Sequence, residues 1–233
     1  MMPGMDRPDP KKCCILVPSR NGIDPACEAA LHELARRGYS LRIMRGVTSI
    51  DQIRCQMACD ALDAGFDELF WIDDDIVFNP DDVDRLRSTG LPIIGGVYPK
   101  KGELELAIRW KEGTGTVILG EGGGLVEVRY AATGFLLTRS SVYDAMQVQG
   151  LSRAAIGQFG RTMMGYFQPM TVVEGNVTRY LAEDWSFFHR ANDAGFPIWV
   201  DTRPRLLHVG RYAYSWDDLV PREKRPALAV QIE

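Results

Sequence analysis

The chain has 233 residues, 45% of them hydrophobic and 25% charged, with a formal net charge of -4. That is apolar material enough for a real core in one large domain. Lys and Arg are scattered rather than gathered into a stripe, which argues against nucleic acid as a partner, and no run of about 18 apolar residues is present to span a membrane. The opening "MMPGMDRPDPKKCC" has no apolar leader core. Five cysteines, Cys13, Cys14, Cys27, Cys55 and Cys59, are odd in number and fall inside expected strands and helices. They suit a reducing, cytoplasmic setting as buried thiols.

In chain order, "CCILVP" (13–18) is a short β-type run, and "DPACEAALHELARRG" (24–38) has helical spacing closed by Gly38. A second strand (39–46), a second helix (49–65) capped by Ser49 or Asp51, and a third strand "DELFWI" (67–72) follow. This βαβαβ opening predicts an α/β fold with helices on both faces of a mostly parallel, mixed sheet. "NPDDVDRLRSTG" (79–90) reads as a helix with Asn79 as cap and Pro80 at its first position, leading into a strand over 91–99. "LELAIRW", "GTVIL" and "LVEVRY" then read as short antiparallel strands with glycine turns. "ATGFLLTRSSVYDAM" (132–146) is a strand entering a helix, and 150–180 has weak periodicity and reads as a long, partly mobile segment over the site. "AEDWSFFHRANDAG" (182–195) is a helix closed by Gly195, "FPIWVD" a strand, and "HVGRYAYSWDDL" (208–219) an aromatic tail. No repeat or second core is apparent, so a single domain over 1–233 is expected.

The stretch "FWIDDDIVFNP" (70–80) sets three carboxylates directly after a buried strand. Neighbouring unit charges about 4 Å apart repel by ~1 kcal/mol in water and ~4 kcal/mol at an effective dielectric of 20, so the cluster calls for a cation. Alternation along an extended strand would send Asp73 and Asp75 to one side and Asp74 to the other. Two hard oxygen ligands at the carboxyl end of a strand, where such sheets bind ligands, suit Mn2+ or Mg2+. The competing structural account is a solvated acidic turn or helix cap.

Four segments together resemble GT-A-fold glycosyltransferases, family 2-like: "LFWIDDDIVFNPDDVDRL" the DxD segment, "AATGFLLTRSSV" the glycine-containing acceptor strand, "AEDWSFFHRANDAGFPIWVD" the ED helix and "RLLHVG" the carboxyl-terminal His segment. The resemblance implies a GT-A-like (Rossmann-like) domain whose donor half covers about 13–100 and acceptor half about 101–233. It implies transfer of a sugar from a UDP- or GDP-linked donor to a hydroxyl acceptor, with Asp75 as principal metal ligand, Asp73 on the metal or ribose, and His208 as a further ligand. Asp184 would be the general base of an inverting reaction and Glu183 its neighbour; in a retaining one both would only bind substrate.

The donor side would further draw on Pro18, Ser19, Arg20, Arg54 and Asp74, with Tyr98, Lys100 or Lys101 reaching the phosphates or sugar. The acceptor side would draw on Thr133 and Gly134. Trp185 and the cluster Tyr212, Tyr214 and Trp216 are candidates for stacking on a sugar face; for Trp185 the alternative is a place in the core. Two other readings stand beside this one. A sugar nucleotidyltransferase would need a Gly-rich basic loop after the first strand, where "VPSRNGID" has only Gly22. A non-catalytic sugar-binding module could dispense with Asp75 and Asp184.

Overall fold

The computed structural model describes residues 7–46, 48–102, 105–151, 153–156, 161–210, 212–219 and 228–231. Its centre is an eight-stranded mixed sheet. The first three strands, β1 (Cys13–Ser19), β2 (Ser40–Arg45) and β3 (Glu68–Ile72), pair in parallel with β1 in the middle. Helices α1 (Pro25–Arg36) and α2 (Ile50–Asp63) make the crossovers. β3 is buried along its whole length. Leu69 and Trp71 face one core and Phe70 and Ile72 the other, which is why its sequence is a continuous apolar run rather than an alternating one.

A two-residue strand β4 (Ile76–Val77), helix α3 (Pro80–Ser88) and strand β5 (Ile93–Gly96) follow. Local chemistry sets the helix starts. Asp24 accepts from Ala26 N–H at 2.9 Å with Pro25 at the first helical position, and Asn79 accepts from Asp81 N–H at 3.0 Å with Pro80 in the same place. Ser49 occupies the cap position of α2 without a side-chain bond.

Next come β6 (Arg109–Trp110), β7 (Thr116–Leu119), β8 (Leu125–Tyr130), β9 (Phe135–Arg139) and α4 (Ser140–Val148). Among the described residues of "LELAIRW" only Arg109 and Trp110 form a strand; Leu106 makes an isolated bridge to Pro99. The stretch read as long, weakly periodic and partly mobile carries two antiparallel strand pairs, β10 (Arg153–Ile156) with β11 (Arg161–Met164), and β12 (Met170–Glu174) with β13 (Val177–Leu181). Residues 152 and 157–160 of that stretch lie outside the described residues. Cys55 and Cys59 of α2 explain part of the order: their sulfurs accept from Phe167 N–H at 3.3 Å and Met164 N–H at 3.4 Å. The cysteines are free thiols, four buried and Cys59 partly so.

Helix α5 (Glu183–Asp193) leads into β14 (Ile198–Asp201), followed by β15 (Leu207–Val209), β16 (Ala213–Tyr214) and β17 (Leu228–Gln231). The main sheet runs β2-β1-β3-β9-β5-β14-β8-β6. β9 is antiparallel to both β3 and β5, β14 runs parallel to β5, and β8 is antiparallel to β14. The protein is thus a mixed α/β, Rossmann-like fold with helices on both faces. Inserting β9 backwards brings its amino end, with Gly134 before it, to the carboxyl ends of β3 and β5. No helix among the described residues is long and apolar enough to cross a membrane.

Candidate active site

The three aspartates leave β3 in a turn, with Ile76 N–H donating to the Asp73 carbonyl at 3.1 Å. The alternation expected of an extended strand therefore does not hold, and each carboxylate meets a different partner. Asp73 Oδ1 accepts from Arg54 Nη2 at 2.7 Å. Burial pushes the Asp74 carboxyl up and the other two aspartates add to this, while the nearby Ser19 hydroxyl and Arg20 N–H oppose it. Asp75 is ion-paired with the Lys101 ammonium, and its other oxygen lies 3.5 Å from His208 Nε2. Burial raises the Asp75 carboxyl, but bonds from His208 and Lys101 outweigh it and hold the group below the usual carboxylate range.

Main-chain contacts fix this turn from three sides. Asp24 N–H donates to the Asp74 carbonyl and Val209 N–H to that of Asp75, each at 2.8 Å, and Asp73 N–H donates to the Gly134 carbonyl at 3.0 Å. Gly134 in turn donates its N–H to the Tyr98 hydroxyl at 2.8 Å. A Cβ at position 134 would strike that hydroxyl and come within 2.9 Å of Asp73 Oδ2, so the close approach of β9 requires glycine. The Tyr98 ring meets His208 edge-on, centroids 5.3 Å apart. His208 Nδ1 lies 2.9 Å from the Pro99 carbonyl, which can only accept; Nδ1 therefore donates there, and Nε2 faces Asp75.

The second acid pair opens α5. Arg54 reaches it too, with Nε 3.9 Å from a Glu183 oxygen. The guanidinium is 2% exposed and lies over the Trp71 ring at 5.6 Å. Its Nε and Nη1 have no hydrogen-bond partner among the described residues. One buried cation thus stands between the turn after β3 and the start of α5. Asp184 Oδ1 accepts from Trp185 N–H at 2.7 Å. Burial, then the adjacent Glu183, push the Asp184 carboxyl up to about 6, against the opposing pull of that N–H and of Arg54.

Ser19, Arg20, Arg54, Asp73, Asp74, Asp75, Tyr98, Gly134 and His208 thus gather about one turn, with Pro18 buried in β1 just before it and Thr133 buried beside Gly134. Lys100, expected at the phosphates, instead pairs with Glu105 at 2.7 Å; its neighbour Lys101 is the lysine that reaches the acids. The two differ by one position along the chain, and the sequence offered no way to choose. Trp185 packs on Tyr130, centroids 5.3 Å apart, and under Arg109, so its ring is engaged within the protein. In the carboxyl-terminal cluster Tyr212 and Tyr214 meet edge-on, while Trp216 lies under Arg205 and against Gly120. Among the described residues no group of three or more His, Cys, Asp or Glu side chains is placed to hold a metal ion. Sequence reasoning missed a basic cluster formed by Arg109, Arg129 and Arg179 about Glu174, because its members come from three separate segments.

No protein-family model matches the chain, and no curated protein matches it in sequence. Among solved structures, "A197 from STIV" matches with a TM-score of 0.54 at 15% identity, over 88% of this chain and 90% of that one. The likeness shows a shared fold along nearly the whole length. A second, described as "a glycosyltransferase involved in the glycosylation of the major capsid of PBCV-1", matches at TM-score 0.33 and 12% identity over 58% of this chain and 64% of that one, a likeness too slight to build on.

Proposed function

We propose that the protein is a glycosyltransferase of the GT-A kind, moving a sugar from a UDP- or GDP-linked donor to a hydroxyl acceptor, with Mn2+ or Mg2+ held by Asp75 and His208. The observation that carries this reading is the facing of those two side chains. With Nδ1 given over to the Pro99 carbonyl, Nε2 is the ring nitrogen of His208 left to face a carboxylate oxygen 3.5 Å away. A carboxylate and an imidazole nitrogen so placed can share a divalent ion, and the same carboxylate already draws the Lys101 ammonium. Two protein ligands suit ions that complete their shell with phosphate oxygens and water. The Pro99 carbonyl is the outer partner that orients a ligating imidazole.

Bound there, the ion would offset charge on the departing nucleoside diphosphate, the Lewis-acid role. The chain's own residues supply the rest. Asp73, oriented by Arg54, hydrogen-bonds the donor ribose; Asp74 ties Ser19 and Arg20 to the turn so that the exit of β1 borders the nucleotide. Lys101 adds positive charge beside the diphosphate. Asp184, pushed up to about 6, is ionised at neutral pH yet basic enough to take the proton from an acceptor hydroxyl as it attacks the anomeric carbon. Glu183 keeps Asp184 basic by its charge and is held by Arg54. A base so tuned favours inversion over retention.

The test is incubation with Mn2+ and a panel of nucleotide sugars while released nucleoside diphosphate is measured. Metal-dependent release for one donor supports the reading. Glycan binding indifferent to EDTA, with no release from any donor, would make the protein a sugar-binding module instead.

A further inference from the structure

Arg109, which lies over the ring of Trp185, belongs to a group of arginines that the proposed chemistry leaves unused. Arg109 of β6, Arg129 of β8 and Arg179 of β13 all converge on the Glu174 carboxylate of β12, Arg109 Nη2 at 3.1 Å, Arg179 Nε at 2.9 Å and Arg129 through Nη2. Glu127, the one acid of β8, is taken by Lys111 at 2.7 Å. One carboxylate faces three guanidiniums, a surplus of positive charge in a chain whose net charge is -4. Fastening the β12–β13 hairpin to the sheet needs only one of these pairs.

The arginines are also held in advance. Arg109 lies over Tyr130 and Trp185, both at 5.8 Å, and Arg129 over Tyr130 at 5.5 Å. Guanidiniums stacked on rings lose little freedom on binding an anion and present their remaining N–H groups in fixed directions. The side chains of Arg129 and Arg179 keep 41% and 51% of their surface open to solvent. Trp185, beneath Arg109, directly follows Asp184 in α5.

We propose that Arg109, Arg129 and Arg179 form an anion subsite that receives a phosphate or carboxylate group carried by the acceptor, placing the acceptor hydroxyl at Asp184. The inference rests on the glycosyltransferase reading for the word acceptor, and on the cluster alone for the anion.

The experiment titrates inorganic phosphate, in EDTA at low ionic strength, into the full chain and into its Arg129→Gln/Arg179→Gln variant. Saturable binding that weakens at least tenfold in the variant is expected, with UDP or GDP plus Mn2+ bound equally by both proteins. Displacement of the phosphate by glucose 6-phosphate or by glucuronate then separates a phosphorylated acceptor from a uronic acid, and neutral glucose displaces nothing. Equal phosphate binding by the two proteins, or none by the wild type, overturns the subsite. If circular dichroism finds the double variant unfolded, Arg179→Gln alone repeats the test with a loss of at least threefold expected. Should phosphate discriminate while no nucleotide binds with Mn2+, the anion subsite stands and the glycosyltransferase reading falls.

Discussion

Asp75 and Asp184 carry the same functional group, and their surroundings drive them in opposite directions. Asp75 sits in a turn at the end of a parallel strand, against an ammonium and an imidazole, and is held below the ordinary carboxylate range despite partial burial. Asp184 opens a helix beside another carboxylate and is pushed up to about 6, chiefly by burial. An acid that must stay charged beside a cation and an acid that must exchange a proton near neutrality need these two environments. Arg54, bonded to Asp73 and near Glu183, is the element the two regions share.

The sharpest way to break the contrast is Asp75→Ala. If this carboxylate holds the ion, its loss removes several kcal/mol of charge stabilisation on the leaving group, so turnover should fall by about 10³-fold or more. Mn2+ binding followed by electron paramagnetic resonance should disappear with it. Turnover within tenfold of wild type would remove Asp75 from the metal site.

Asp184→Asn tests the other side and comes next in size. Transfer should drop by roughly 10²–10⁴-fold, the contribution of a positioned base, with nucleotide binding unchanged. In the wild type the base works only when ionised, so kcat/KM should rise with pH and level off above about 6. Stability runs the other way. Between the ordinary Asp value of 3.8 and about 6 the folded protein keeps a proton that the unfolded chain has released. The associated stabilisation is complete below 3.8 and fades as pH rises through 6. The neutral amide should therefore leave the variant more stable than wild type at pH 8, by roughly 1–2 kcal/mol after allowance for residual solvent contact. A lower melting temperature at pH 8 would contradict the burial on which the assignment depends.

Gly134→Ala strikes the junction that positions the turn. The new methyl must displace the Tyr98 hydroxyl or Asp73, and overpacking of this kind costs about 1–3 kcal/mol. Activity should fall further than stability does if, as proposed, both displaced groups border the donor. An unaltered rate would show that the approach of β9 serves packing alone.

The two regions also differ in how far the sequence disclosed them. The βαβαβ opening was legible because its signals are local: the apolar run of β3, the Asp24–Pro25 and Asn79–Pro80 starts, and the glycines ending α1 and α5, both in left-handed conformation at Gly38 (φ 94°) and Gly195 (φ 86°). That the triplet lies at the carboxyl end of a strand followed from the same signals. Its turn did not, because the bonds that impose it come from Asp24, Gly134 and Val209, far away in sequence. The strand pairs β10–β11 and β12–β13 went unread for a like reason. β12 buries Val172 but leaves Val173 exposed, and β13 is exposed from Val177 to Tyr180 and buried only at Leu181, so neither shows a strand's apolar alternation, and β11 is tied to α2 by a thiol bond no periodicity encodes.

The smallest expected effect belongs to Lys101→Met, which sharpens the comparison at the Asp75 end. The lysine ammonium and a divalent ion compete for one carboxylate, so removing the ammonium should tighten metal binding in the absence of nucleotide. Both Lys101 and Asp75 side chains are about a third open to solvent, at 38% and 30%. A pair so exposed is worth ~0.2–1 kcal/mol, which converts to an affinity gain of roughly 1.4- to 5-fold. With nucleotide present the sign should reverse, because the same ammonium beside the diphosphate favours the donor, and KM for the donor should rise. Measuring Mn2+ affinity with and without UDP or GDP separates the two effects. Equal changes in both conditions would mean that Lys101 only neutralises Asp75 and takes no part in holding the donor.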